Sequence, residues 1–120
     1  MKQDNVKFLA GPHQLTTERI DYFVQKYSEQ YENVEIKRYY GAELNPEIFV
    51  NELVANSLFN EHKIIIIHQM EQIEKKVWTE YIFPHLEKIS DDMLVIFEGL
   101  SIKTKPVGYE VETVQDAENL

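Results

Sequence analysis

The chain contains no cysteine among its 120 residues. This absence excludes a disulfide framework, a cysteine-ligated zinc site and a thiol nucleophile. Long hydrophobic runs are missing as well, because the longest aliphatic stretch, Ile64 to Ile67, has the length of a strand rather than of a membrane span. The first residues carry no targeting signal. We therefore expect a soluble cytoplasmic protein that does not associate with membranes.

Basic residues are scarce relative to acidic ones. The chain has 12 Lys and Arg against 21 Asp and Glu, which gives a formal net charge of −9 and an isoelectric point near 4.9. Binding to a nucleic-acid backbone depends on clustered Lys and Arg that neutralise phosphates and release counterions. We therefore expect no direct DNA binding by this chain.

Enough apolar material remains for one compact core. Hydrophobic residues make up 43% of the chain and aromatic residues 12%, which argues against wholesale disorder. A chain of 14.2 kDa has room for one domain and hardly for two. The sequence therefore predicts a single α/β domain over residues 1–120.

Short β-branched runs alternate with longer stretches of helical periodicity. The first helix has Thr16 or Thr17 as a candidate cap, and Asn45-Pro46-Glu47 opens the second. Ile48, Phe49 and Leu53 would form the buried stripe of the second helix. The third helix begins near Glu71 and should break or kink at Pro84. The predicted strands cover residues 6–10, 34–40, 63–68 and 93–97, with a possible last strand over 107–114.

The central strands determine the predicted fold class. Four consecutive isoleucines, Ile64 to Ile67, leave no polar face for water, and Met93 to Phe97 are similar. Strands that are covered on both faces are typical of parallel sheets with helical crossovers. The sequence therefore predicts a three-layer, mostly parallel α/β sheet. The linker Gly99 to Pro106 is too short for a helical crossover, so the last strand should be antiparallel or absent.

A phosphate-binding loop would be expected after the first strand of such a fold. The segment Gly11 to Thr17 has no lysine for terminal phosphates, and Pro12 removes a backbone N–H donor. His68 and Gln69 follow the isoleucine strand, where an ATPase needs an acidic residue for its metal ion. We therefore predict no ATP hydrolysis, no catalytic residue and no cofactor.

Other candidate chemistry is weak. The four histidines, at positions 13, 62, 68 and 85, show no metal-ligand spacing. Asp91 and Asp92 are best interpreted as solvated turn residues. No serine lies in the Gly-x-Ser-x-Gly pattern of a nucleophile elbow. The sequence thus predicts no metal site.

The segment Asn56 to His62 is polar but carries two adjacent large apolar residues, Leu58 and Phe59. One interpretation is structural, with Phe59 closing one end of the core. The other is a protruding hydrophobic anchor that enters a partner's pocket. Adjacent residues in a loop rarely both point into the core, so the interpretation as an anchor stays open beside the structural one.

Three segments stand out by their order along the chain rather than by a single motif. Phe8-Leu9-Ala10-Gly11 precedes a helix with no P-loop lysine. Ser57-Leu58-Phe59 precedes the aliphatic strand, and Met93 to Phe97 follows it. In this order the chain resembles, over about Val6 to Glu98, the N-terminal domain of the delta subunit of bacterial DNA polymerase III, a clamp-loader subunit.

This resemblance implies a core similar to P-loop NTPases of the AAA+ class, without a functional nucleotide site. It implies a non-catalytic role in DNA replication, in which the domain binds the ring-shaped sliding clamp and helps to open it. Leu58 and Phe59 would insert into a pocket of the clamp, with Ser57 in the same loop. In a full-length protein, other clamp-loader subunits would be further partners.

Two departures from the family accompany this resemblance. The helical lid and the collar domain of the family do not follow within the 120 residues, so we expect a fragment or a truncated relative. The linker Gly99 to Pro106 also lacks the basic helix expected there. The alternative function is a degenerate P-loop nucleotide-binding protein or enzyme that uses Gly11 to Thr17. A further alternative is a regulatory α/β domain of unknown partner.

Overall fold

The computed structural model describes residues 5–54 and 62–115. These residues form an α/β fold built around one sheet. In the described ranges, no helix is both long enough and apolar enough to cross a membrane. The strands are β1 (Val6–Ala10), β2 (Glu35–Tyr40), β3 (Lys63–His68), β4 (Met93–Gly99) and β5 (Val111–Thr113), and the helices are α1 (His13–Gln30), α2 (Pro46–Val54), α3 (Lys75–Val77) and α4 (Phe83–Leu86), with a π-helical turn (Trp78–Ile82) joining the last two.

All five strands lie parallel in one sheet, in the order β2-β3-β4-β1-β5. The isoleucines of β3 are fully buried, and every residue of β4 is buried too. The predicted bounds of β1 and β3 are confirmed, and β2 and β4 differ from the predicted bounds by one residue and two residues at one end. Continuous apolar runs therefore identified the central strands correctly.

Helices cover both faces of the sheet. Helix α1 packs Ile20 and its neighbours on the face that presents Leu9, Ile64 and Ile96. The opposite face presents Phe8 and Phe97, and it is covered by α2 and by the 75–86 helical segment. The buried side chains that these helices bring to the opposite face are Phe49, Leu53, Trp78, Ile82 and Leu86.

The prediction for the last strand is wrong. Strand β5 pairs with β1 in parallel, with Val111 opposite Phe8. The eleven residues between Gly99 and Val111 contain no helix. They suffice because β5 begins only halfway along β1, and because Ile102 and Tyr109 pack directly on the core in place of a crossover helix.

Of the two outcomes predicted at Pro84, a break or a kink of the third helix, the break is not observed. Helical structure continues from Lys75 to Leu86, and Pro84 lies near the start of α4. The turn before it, Trp78–Ile82, is π-helical. A π turn shifts the hydrogen-bond register, and this lets a helix pass a proline that would otherwise clash with the carbonyl group four residues earlier.

The predicted cap of the first helix is wrong, and the predicted cap of the second helix is confirmed. Neither Thr16 nor Thr17 caps α1, which begins after Pro12 with no side-chain cap. Asn45 does cap α2, because its Oδ1 accepts hydrogen bonds from the backbone N–H groups of Glu47 and Ile48, both at 3.1 Å. Within α2, Phe49 and Leu53 are buried as predicted, but Ile48 is 59% exposed.

Candidate functional site

The residues predicted to contact a partner, Ser57, Leu58 and Phe59, lie outside the described residues. The described residues that flank this segment are Val54, the last residue of α2, and His62, directly before β3. Both lie at the edge of the sheet where the parallel strands begin, because α2 runs antiparallel to the strands that it connects. We call this edge the amino edge.

His62 is held in place at the amino edge by aromatic neighbours. Its ring stacks on Tyr31 with centroids 3.7 Å apart. Its Nδ1 lies 3.3 Å from the Tyr27 hydroxyl and 4.0 Å from a carboxylate oxygen of Asp92. Burial raises the pKa of Tyr27 to about 12, so this hydroxyl is neutral at pH 7. His62, which directly follows residues 55–61 in the sequence, is therefore firmly packed.

The opposite, carboxyl edge of the sheet contains the position where such folds usually bind ligands. After β1 the chain passes to the face covered by α1, whereas after β4 it passes to the other face. Strands β1 and β4 are neighbours, so the connections diverge between them. Parallel α/β sheets bind ligands in the crevice outside the carboxyl ends of the strands at such a point.

A buried carboxylate fills this crevice. Glu98, in β4, is only 2% exposed. Its Oε2 accepts a 2.7 Å hydrogen bond from the Thr16 hydroxyl in the first turn of α1. Its Oε1 lies 2.7 Å from Nδ1 of His68, at the end of β3, and 3.9 Å from Nδ1 of the exposed His13. The network continues to Arg38 in β2, whose guanidinium lies 2.8 Å from Nε2 of His68.

The Glu98 carboxylate is ionised in this environment. Burial by itself raises its pKa, but the hydrogen bonds from His68 and Thr16 and the nearby imidazoles of His68 and His13 more than offset that effect. The pKa of Glu98 therefore lies below its ordinary value of 4.5. At neutral pH a negative charge thus lies beside the first turn of α1, where the helix dipole stabilises an anion.

This arrangement is unfavourable for a phosphate ligand. An incoming phosphate at the N-terminus of α1 would meet the Glu98 carboxylate in a largely buried position, where like charges repel strongly. The cavity beside Glu98, lined by Gly11, His13, Glu71 and Gly99 among others, measures about 50 Å³. Small-molecule sites usually enclose about 300–1,000 Å³, so this cavity has the size of a few waters.

A larger cavity of about 340 Å³ lies elsewhere, at the β5 side of β1. Its wall includes Arg19 and Glu112, which bind each other through two hydrogen bonds of 2.6 and 3.2 Å. The Lys7 ammonium lies over the Phe23 ring, 5.3 Å from its centroid. The charged groups of Arg19 and Glu112 are thus engaged with each other.

Sequence reasoning missed Glu98 and its partners. An acidic residue was expected at the end of the isoleucine strand, where His68 lies, whereas the carboxylate comes from the neighbouring strand. The signal was present, since a glutamate directly follows five apolar residues of a buried strand. Thr16 was interpreted as a helix cap, and its partner 82 residues away has no local signature.

The remaining candidates can be placed as well. His13 and His68 both approach Glu98, although the sequence gave no reason to pair them. Within residues 5–54 and 62–115, no group of three or more His, Asp or Glu side chains is placed to hold a metal ion. Asp91 and Asp92 are exposed turn residues, as predicted.

Comparison with known proteins adds no identification: no protein-family model matches the chain, and no curated protein matches it.

Proposed function

We propose that this chain is a non-catalytic interaction domain of the clamp-loader delta type, which binds a sliding clamp through Leu58 and Phe59 and helps to open it in DNA replication. Ser57 would belong to the same contact. The core would be a relative of the P-loop and AAA+ ATPases whose nucleotide site is lost. The identity of the partner rests on the resemblance in the order of segments along the chain.

The observation that carries the proposal is the position of Glu98. Its carboxylate occupies the crevice at the carboxyl edge, where a nucleotide would otherwise bind, and is held by Thr16 and His68. A scaffold whose usual ligand position is filled by its own side chain favours a binding role over an enzymatic one. The alternative of a degenerate P-loop nucleotide-binding protein is correspondingly disfavoured.

The residues that flank the proposed contact lie away from this crevice, which supports a separate binding region. The 55–61 segment joins the end of α2 to the start of β3, and it therefore leaves and re-enters the described structure at the amino edge. The Glu98 network lies at the carboxyl edge. A protein partner bound at the amino edge would approach a region distinct from the filled crevice, with Val54 (39% exposed) beside it.

The test is a binding measurement with the double variant Leu58→Ala and Phe59→Ala. Each buried anchor residue of an interface contributes about 2 kcal/mol or more. Loss of both, at about 4 kcal/mol, should reduce affinity for a bacterial sliding clamp by about 1,000-fold. The melting temperature should remain close to that of the wild type, which separates loss of binding from loss of folding.

The matched control is the double variant Leu100→Ala and Val107→Ala. These residues are also apolar and are 66% and 88% exposed, but Leu100 directly follows the carboxyl end of β4 and Val107 lies in the connection to β5. Clamp affinity of this control should match that of the wild type. Equal binding by the wild type and the Leu58/Phe59 variant would refute the proposed contact.

A further inference from the structure

A row of three side chains crosses adjacent strands at the carboxyl edge. Tyr40 pairs with His68 in the register of β2 and β3, and Glu98 lies next to His68 on β4. The ring of Tyr40 stacks on that of His68, with centroids 5.2 Å apart and planes 26° apart. Arg38, two residues before Tyr40 on the same face, completes the surroundings of His68.

The neighbours of His68 determine which ring nitrogen carries the proton. A guanidinium has N–H donors and no acceptor, so Nε2 of His68 must accept the 2.8 Å hydrogen bond from Arg38. The single proton of the neutral ring then lies on Nδ1, which donates to Oε1 of Glu98. The hydrogen-bonded chain therefore runs from Arg38 through neutral His68 to ionised Glu98, and Thr16 donates to the other carboxylate oxygen.

If His68 takes up a second proton, only some of these hydrogen bonds can persist. It would occupy Nε2, where it would face an N–H of Arg38, so two donors and two positive charges would meet. The bond from Nδ1 to Glu98 would persist, now as a charge-assisted hydrogen bond. Stacking on Tyr40 would persist too, because an aromatic face attracts a cation.

We infer that His68 is a proton-operated latch for Arg38: uptake of a proton by His68 releases the Arg38 guanidinium from the sheet while His68 stays bound to Glu98. Arg38 is the partner that leaves because it is exposed and water can solvate it, whereas Glu98 is 2% exposed. Imidazoles are the side chains that ordinarily change charge between pH 5 and 8. Proton uptake by His68, at the buried end of β3, is thus coupled to release of the Arg38 cation on the edge strand β2.

The groups that face His68 come from three elements. Strand β2 contributes Arg38 and Tyr40, strand β4 contributes Glu98, and α1 approaches through Thr16 and His13, both directed at the Glu98 carboxylate. The side chain of His13 is 74% exposed. Its protonation would add a second cation beside Glu98, so the experiment must separate the two histidines.

The experiment is an NMR titration of the whole chain from pH 8 to pH 5, with ¹⁵N detection of the imidazole and guanidinium groups. At pH 8 we expect His68 to carry its proton on Nδ1 and the Arg38 N–H signals to exchange slowly with water. As His68 takes up its second proton, Arg38 exchange should accelerate with the same midpoint. The His13→Gln variant should leave this coupling unchanged.

A second variant, His68→Gln, removes the titrating group, and its Arg38 signals should then lose their pH dependence. The wild-type titration decides the matter even if this variant does not fold. A neutral His68 protonated on Nε2 would overturn the inference. So would Arg38 signals that stay constant while His68 gains its proton, or that follow the titration of His13.

Discussion

At the scale of single residues, Glu98 places a negative charge where a helix N-terminus of this fold class commonly receives a ligand anion. The charge is tolerated because the carboxylate has two close donors, Thr16 and His68, at 2.7 Å each. A buried ion without such partners would be strongly destabilising. Glu98 therefore contributes to stability and, by the same contacts, closes the crevice.

The variant Glu98→Gln should show a pH-dependent loss of stability. The pKa of Glu98 is lowered in the folded chain from 4.5, so the ionised carboxylate contributes stability that is fully present above about pH 4.5. This contribution is lost as the pH falls below that value. Urea denaturation should give a deficit of about 1–3 kcal/mol at pH 7 and a clearly smaller one at pH 3.

The exposed residue Glu29, near the end of α1, provides the control for that measurement. Glu29→Gln should change the free energy of unfolding by less than about 0.5 kcal/mol. A Glu98→Gln deficit that is the same at both pH values would mean that ionisation of Glu98 does not stabilise the fold.

At the scale of elements, the features that could be predicted best from the sequence are those that depend on residues within one helical turn. Asn45-Pro46-Glu47 predicts the start of α2 because the cap, the first-turn proline and the acidic residue all act within one turn. The structure confirms the Asn45 cap. Ile48 was wrongly placed in the core because the periodicity of a nine-residue helix does not fix its orientation tightly. The π turn before Pro84 and the parallel course of β5 depend on long-range packing, so no local pattern could reveal them.

Removal of the α2 cap should have a measurable cost. Asn45→Ala leaves the N–H groups of Glu47 and Ile48 without the Oδ1 acceptor, and loss of such a cap typically costs about 1 kcal/mol. Asn51→Ala, at an exposed position of the same helix, is the matched control and should not destabilise, because alanine favours helix. Equal effects of the two substitutions in urea denaturation would argue against the cap.

At the scale of the whole molecule, the two edges of the sheet have different roles in this account. The class of fold could be predicted because β3 and β4 each contain a continuous apolar run, Ile64 to Ile67 and Met93 to Phe97. Such runs are typical of parallel sheets that are covered on both faces. The filled crevice could not be predicted, because Thr16, His68 and Glu98 meet only after the strands have assembled. Val54 and His62, the described residues on either side of positions 55–61, lie at the amino edge.

The closed carboxyl edge predicts no stabilisation by nucleotide. A ligand present at about 100 times its Kd stabilises a protein by about 2.7 kcal/mol, which would raise the Tm of a chain of this size by about 10 °C. ATP with Mg²⁺ should leave the Tm unchanged relative to Mg²⁺ at matched ionic strength. A rise of several degrees that requires ATP would instead support the degenerate P-loop alternative.

The most direct measurement of the central claim maps the contact itself. ¹⁵N-labelled chain is titrated with unlabelled bacterial sliding clamp, and the backbone amide signals are followed. The account predicts that losses and shifts concentrate on residues 55–61 and on the flanking Val54 and His62, while Gly11, His68 and Glu98 at the carboxyl edge stay unchanged. Absence of any change, or changes centred on the Glu98 network, would contradict it.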